Sequence, residues 1–286
     1  MSTTIVMSPT EIEALRAKLE RQGFEFRGLQ YAHFQAKGPG AVVSAYRSGK
    51  VVFQGKAADE LMGDAAPAKG PKLKGTIAGS DESGKGDYFG PLVVAAVVVS
   101  PDQERALVDA GVRDCKKMSD SAILRAAVAI RALCPHSVIS LDAPAYNRAH
   151  LAEGNVAVFL SRMHAEALVA AIEQADHCDG VIIDKFTSVQ RLQNDLRAHG
   201  IELPAEIRTK AEDNPAVAAA SVLARAEFLV GLKEAGQEFG MELPKGAGRP
   251  VDEVGRELFR VGGRVALEKV AKAHFKTTQK VMQQEF

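Results

Sequence analysis

Asp81 and Glu82 stand side by side where an apolar run, residues 76–80, gives way to Gly84-Lys85-Gly86. Neighbours in an extended chain point to opposite faces, so one strand end presents two carboxylates in different directions. The glycines let a phosphate or ribose approach the main chain and meet its N–H groups, and Lys85 adds a point charge. A third carboxylate, Asp184, follows Val181-Ile182-Ile183. Two more, Glu212 and Asp213, precede a helical stretch over 216–228 rich in small residues, so something must pack very close to it. Converging carboxylates repel one another, and desolvating them together is costly unless cations neutralise them. Their simplest use is to hold hard divalent ions, Mg2+ or Mn2+, through oxygen. Two such ions ~4 Å apart can activate water and stabilise the leaving oxygen of a phosphodiester. A solvated turn is the plainer reading of residues 79–91. It does not require an apolar strand entering and a valine-rich strand leaving.

The elements that must position these groups can be read from periodicity and punctuation. Residues 76–80, 92–100 and 181–184 read as buried strands, the second entered through Gly90-Pro91. Helical spacing covers 119–133, 155–173, 216–233, 251–259 and 262–274. Strands mixed with helices over ~200 residues indicate one α/β domain. Ahead of it, Ser8-Pro9-Thr10-Glu11 opens a helix with Ser8 as N-cap, and Ile12, Leu15 and Leu19 form its apolar stripe. Residues 31–37, 41–47 and 50–54 follow as a small antiparallel meander with turns at Gly38-Pro39-Gly40 and Ser48-Gly49. The Gly-, Pro-, Ala- and Lys-rich segment 63–76 reads as a linker. The expected division is therefore 1–62, linker 63–76, and 77–286.

Net charge is zero over 286 residues, which excludes a generic polycation that coats nucleic acid. The first 77 residues nevertheless carry 11 Lys/Arg against 7 Asp/Glu, a mildly basic front on an acidic body. Cys115, Cys134 and Cys178 are too few for a disulfide framework and lack zinc spacing, so a cytoplasmic location is expected. No apolar run approaches a membrane span, the longest being near 93–99, and no signal peptide opens the chain.

The run GSDESGKGDYFGPLVVAAVVV resembles the active-site opening of type 2 ribonucleases H, and more specifically of ribonuclease HIII. Further matches follow in order: GVRDCKKMSD, where Cys115 stands in place of the usual serine; Tyr146-Asn147, Asn155 and His164; Ile182 to Phe186; Thr209 to Glu212; LPKGAG; and His274 to Thr277. The resemblance implies an RNase H-like catalytic domain, with a mixed central sheet flanked by helices and further helices at the C-terminus. The N-terminal region resembles a TATA-binding-protein-like α+β module that grips RNA–DNA hybrids. Asp81, Glu82 and Asp184 would be metal ligands and Glu212 the fourth catalytic acid, with Asp213 its rival because the spacing to the following helix is one residue short. Gly84, Lys85 and Gly86 would touch the RNA backbone and sense its 2′-hydroxyl. Lys50 and Lys56 are candidates for the N-terminal grip; Tyr46 and Phe53 nearby belong more naturally to the core. His164 reads as a structural or supporting histidine, Ser221 as a packing residue rather than a nucleophile, and His274 as either groove or surface.

The implied reaction is attack of metal-activated water on the RNA strand, leaving 5′-phosphate and 3′-hydroxyl ends. A monomer with no obligatory protein partner suffices. Two alternatives stand beside it: incision at single ribonucleotides in DNA, as in ribonuclease HII, and a non-catalytic nucleic-acid-binding protein. Deleting residues 1–62 is expected to weaken hybrid binding far more than it slows turnover at saturating substrate. Equal kinetics of the two forms at low substrate would remove the grip.

Overall fold

A computed structural model describes residues 2–7, 9–58, 61, 73–112, 115 and 118–283. The chain divides into two compact units, Met1–Lys72 and Leu73–Phe286.

In the first unit, helix α1 (Pro9–Arg21) accompanies an antiparallel sheet of order β1-β5-β4-β3-β2. Its strands are β1 (Ser2–Val6), β2 (Glu25–Arg27), β3 (Ala32–Gly38), β4 (Ala41–Tyr46) and β5 (Lys50–Gly55). Ile12, Leu15 and Leu19 pack on Phe34, Val43, Val51 and Phe53, as their spacing requires. Phe53 is core, while Tyr46 is half-buried. The meander was legible but its two flanking strands were not. β1 is a β-branched run suited to a strand, and it pairs with β5 from Lys50 to Gln54. The N-cap expected at Ser8 lies outside the described residues, as does most of the expected linker. The linker's last four residues belong to the second unit: Leu73 packs on its core, and Thr76 N–H donates to Asp179 at 2.8 Å.

The second unit is built on a mixed sheet of order β10-β9-β6-β7-β8. β6 (Ile77–Ser83) pairs parallel with β9 (Gly180–Asp184) and antiparallel with β7 (Leu92–Val99); β8 (His136–Leu141) and β10 (Ala205–Arg208) form the edges. β7 is buried on both faces, so its side chains alternate between two cores. Val93, Ala95, Val97 and Val99 enter one core with helices α3 (Asp120–Leu133) and α7 (Pro215–Gln237). Leu92, Val94, Ala96 and Val98 enter the other with α5 (Val156–Ile172) and α6 (Val189–Ala198). Helices α2 (Pro101–Asp109), α4 (Ala143–Glu153), α8 (Arg249–Val270) and α9 (Lys276–Met282) complete the unit. The expected pair 251–259 and 262–274 is α8, bent where Gly262 and Gly263 leave helical geometry, and it stops at Val270. α6 escaped notice because only Leu192 and Leu196 of its ten residues are buried.

One expectation needs correcting. α7, at 23 residues, is long and apolar enough to cross a membrane, so 93–99 is not the longest apolar element. Its apolar surface is used inside the unit: Ala216 to Ala220, Val222, Leu223 and Phe228 are all buried. The close neighbour that its small residues imply is β6. A Cβ on Gly79 would lie 2.3 Å from the nitrogen of Val217 and 2.4 Å from the carbonyl carbon of Ala216. Strand and helix therefore meet backbone to backbone, two residues before Asp81. Gly79→Ala is expected to destabilise the chain by at least about 1–3 kcal/mol through overpacking, read as a lower urea midpoint; an unchanged midpoint would refute this contact.

Candidate active site

The alternation of β6 sorts its polar residues. Ile77 and Gly79 face α7, so Asp81 does too and receives a hydrogen bond from Ser221. Ala78 faces α5, and with it Ser80 and Glu82, which meet His164 of that helix. In the parallel neighbour, Ser80 is in register with Ile183, which brings Asp184, one step on, beside Asp81. β10 is in register with β9 through Arg208 and Asp184, and the chain then turns through Lys210, whose left-handed φ of 58° starts a single 3-10 turn, Ala211–Asp213. Ala211 N–H donates to Asp184 at 3.3 Å.

Asp81, Glu82, Asp184 and Glu212 consequently line one cleft of about 630 Å³, together with Gly84, Lys85 and Gly86. Asp213 does not line it and is engaged by the Arg208 guanidinium. Gly84 has a φ of 86°, and a Cβ there would lie 2.1 Å from the carbonyl oxygen of Pro91. A Cβ on Gly86 would meet nothing within 4 Å, so the main chain there is open to a ligand. Lys50 and Lys56 are exposed on the first unit. Lys50, Val52 and Gln54 alternate with the core residues Val51 and Phe53, which places Lys50 on the face of β5 away from α1.

The cleft also contains residues that local sequence signals did not mark. Arg225 comes from the middle of α7; Lys245 faces it from the segment LPKGAG and pairs with Asp120 at 2.7 Å. A lone cation in a helix or loop is ordinarily solvated surface, so only the tertiary fold reveals these two. Cys115 and Ser221 line it as well, with Sγ and Oγ 3.1 Å apart, a polar contact in place of simple packing. His274 does not reach this cleft. It stacks on His150 with ring centroids 4.2 Å apart, and burial, then His150 and Lys272, push its pKa down to about 4.

The glycine loop is moored from the far end of the chain. Lys272, fully buried, donates its ammonium to the carbonyls of Asp87 at 2.9 Å and Gly90 at 2.7 Å. Tyr88 N–H donates to Gly246, and Lys272 N–H donates to Tyr88. Burial lowers the Lys272 pKa to about 7, opposed by the Asp87 carboxylate.

Burial, and then charge crowding, set the electrostatics. Burial, then Glu82 and more weakly Asp184, raise the Asp81 pKa to about 7, against hydrogen bonds from Ser221 and the Glu82 N–H. Burial likewise raises Asp184, with Glu212 and Glu82 adding to it. Burial pushes Glu82 upward too, but His164 and Lys85 outweigh it and hold this carboxyl below its ordinary range. All-oxygen anionic donors under mutual repulsion suit a hard divalent cation. Among the described residues no three His, Cys, Asp or Glu groups stand at ligand spacing around one point.

The family model for ribonuclease HII matches residues 78–278, and one described as a domain of unknown function (DUF3378) matches residues 2–64. Ribonuclease HIII of Protochlamydia amoebophila is 34% identical over 94% of this chain and 93% of its own length, so the likeness runs through both units. The chain belongs to the ribonuclease HIII family. A second ribonuclease HIII, from a Geobacillus species, is 37% identical over 87% of each chain. The crystal structure of Bst-RNase HIII in complex with Mn2+ covers 99% of this chain with a TM-score of 0.69 and 34% identity. As a ribonuclease HIII, the chain is a divalent-metal-dependent endonuclease with an RNase H-like catalytic unit.

A raised acid retains its proton in the folded state, so its ionised form works against folding. This penalty is absent below about pH 4, grows as pH rises, and is complete above about pH 7 for Asp81. With chelator present, Asp81→Asn is therefore expected to raise the melting temperature at pH 8, with the gain fading as pH falls toward 4. The displacement from 3.8 to about 7 bounds that gain at roughly 4 kcal/mol. A loss of stability at pH 8 would contradict this account.

Proposed function

We propose that Asp81, Glu82, Asp184 and Glu212 hold the divalent cations, Mg2+ or Mn2+, with which this ribonuclease HIII hydrolyses the RNA strand of RNA–DNA hybrids. The observation that carries the assignment is the convergence of four acids, from two strands and a 3-10 turn, on one cleft. Bound there, such ions would activate water and offset the charge that builds on the phosphodiester, giving 5′-phosphate and 3′-hydroxyl ends. Glu212 is favoured over Asp213 as the fourth acid because Asp213 is drawn away by Arg208.

The protein's own groups have separate tasks around that centre. Gly84 and Gly86 shape a bare main chain that can approach ribose, and Lys85 stands at its edge to meet a phosphate or 2′-hydroxyl. Arg225 and Lys245 supply further cations for the backbone. On the first unit, Lys50 and Lys56 would hold hybrid phosphates, so affinity should fall with salt. We also propose a cytoplasmic monomer that needs no protein partner; the lack of any disulfide among the described residues is compatible with a reducing compartment.

Asp81→Ala is expected to abolish cleavage of a labelled hybrid while leaving hybrid binding largely intact. Near-normal cutting with Mg2+ by that variant would defeat the site assignment. Offered a duplex with a run of ribonucleotides beside one with a single ribonucleotide, the enzyme should prefer the run. Preference for the single site would place it with ribonuclease HII in action.

A further inference from the structure

We infer that His164 is a positioning residue for Glu82, fixing which carboxylate oxygen this acid turns toward the cleft. This rests on the metal-ligand reading above, and concerns how one ligand is held rather than which residues are ligands.

His164 is fully buried in the middle of α5, although a helix position facing a sheet is ordinarily apolar. Both ring nitrogens face groups of β6. Nδ1 lies 2.9 Å from Ser80 Oγ, itself fully buried. Nε2 lies 3.3 Å from Glu82 Oε2, off the line of a full hydrogen bond, and no other partner satisfies it among the described residues. Leaving a buried ring nitrogen so poorly served is costly. Its orientation toward an acid of the cleft is thus the feature to explain.

The partners fix one proton. An ionised carboxylate only accepts, so the nitrogen facing Glu82 carries the proton. Nδ1 meets the Ser80 hydroxyl, which can either donate to it or accept from it. The opposite tautomer would turn a lone pair on the carboxylate. Ser80 and Glu82 are two residues apart on one face of β6, so a single strand carries both ends of the relay. The ring cannot slide out of place, because Phe186 stacks on it with centroids 4.6 Å apart and planes 19° apart.

The two oxygens of Glu82 are therefore not equivalent. Oε2 faces His164, which is wholly buried, whereas Oε1 faces Lys85 at 3.3 Å, on a side chain 38% exposed. The contact with the ring fixes one oxygen and leaves the other on the cleft side, beside the partly exposed Lys85 ammonium. A glutamate has three side-chain torsions to restrict, and ligands held by a neighbouring hydrogen bond bind metal more tightly than unrestrained ones.

The test is His164→Leu in the full chain, compared with His164→Gln, whose amide nitrogen can occupy the place of Nε2. The Leu variant should bind Mn2+ about 10- to 100-fold more weakly by calorimetry and lose kcat by a similar factor, with KM for hybrid within about twofold. The Gln variant should recover most of both losses. A Leu variant that melts cooperatively and binds Mn2+ with parental affinity overturns the inference, as does a Gln variant no better than Leu. Should the Leu variant not fold, Ser80→Ala decides: it releases Nδ1, and weaker Mn2+ binding supports the role while parental binding overturns it. None of these outcomes alters the result for Asp81→Ala, which tests the metal site itself.

Discussion

Mutual repulsion among buried carboxylates is the constraint around which the second unit is arranged. Left to themselves, Asp81, Glu82, Asp184 and Glu212 would move apart or take up protons; burial first, and then the neighbouring carboxylates, raise the pKa values of Asp81 and Asp184. What resists it is backbone. β6 and β9 are adjacent in a sheet buried on both faces, and β6 is pressed on α7 so closely at Gly79 that no side chain fits between them. Rigid elements can hold groups in an unfavourable arrangement that loops could not, and a site built this way is ready for a cation before one arrives.

The same strand divides its duties by parity. Odd positions serve the α7 side, where Ser221 and Cys115 surround Asp81; even positions serve the α5 side, where His164 and Phe186 surround Glu82. Two adjacent acids therefore live in different surroundings. One is pushed toward neutrality and the other held ionised, although a single peptide bond separates them. Neighbouring carboxylates with unlike environments can take unlike roles.

Much of this was legible because its signals are local. Asp81 and Asp184 each end an apolar run, and the small residues of α7 announced a close neighbour without naming it as β6. The choice between Glu212 and Asp213 was not legible. It depends on Arg208 in β10, a four-residue strand whose residues are all half-buried and carry no pattern. β1 was overlooked because its pairing partner, β5, lies more than forty residues on. Arg225 and Lys245 look like ordinary surface cations until the fold sets them in the same cleft as the acids. Contacts between distant segments leave no mark in either segment alone.

The buried ammonium of Lys272 gives the cleft a dependence on a residue that never enters it. The carbonyls of Asp87 and Gly90 accept from that ammonium, and Tyr88 N–H donates to Gly246, so residues 87–90 are fastened by segments distant from them in the chain. A change at Lys272 therefore acts on the loop bearing Gly84, Lys85 and Gly86 while leaving every acid of the cleft untouched.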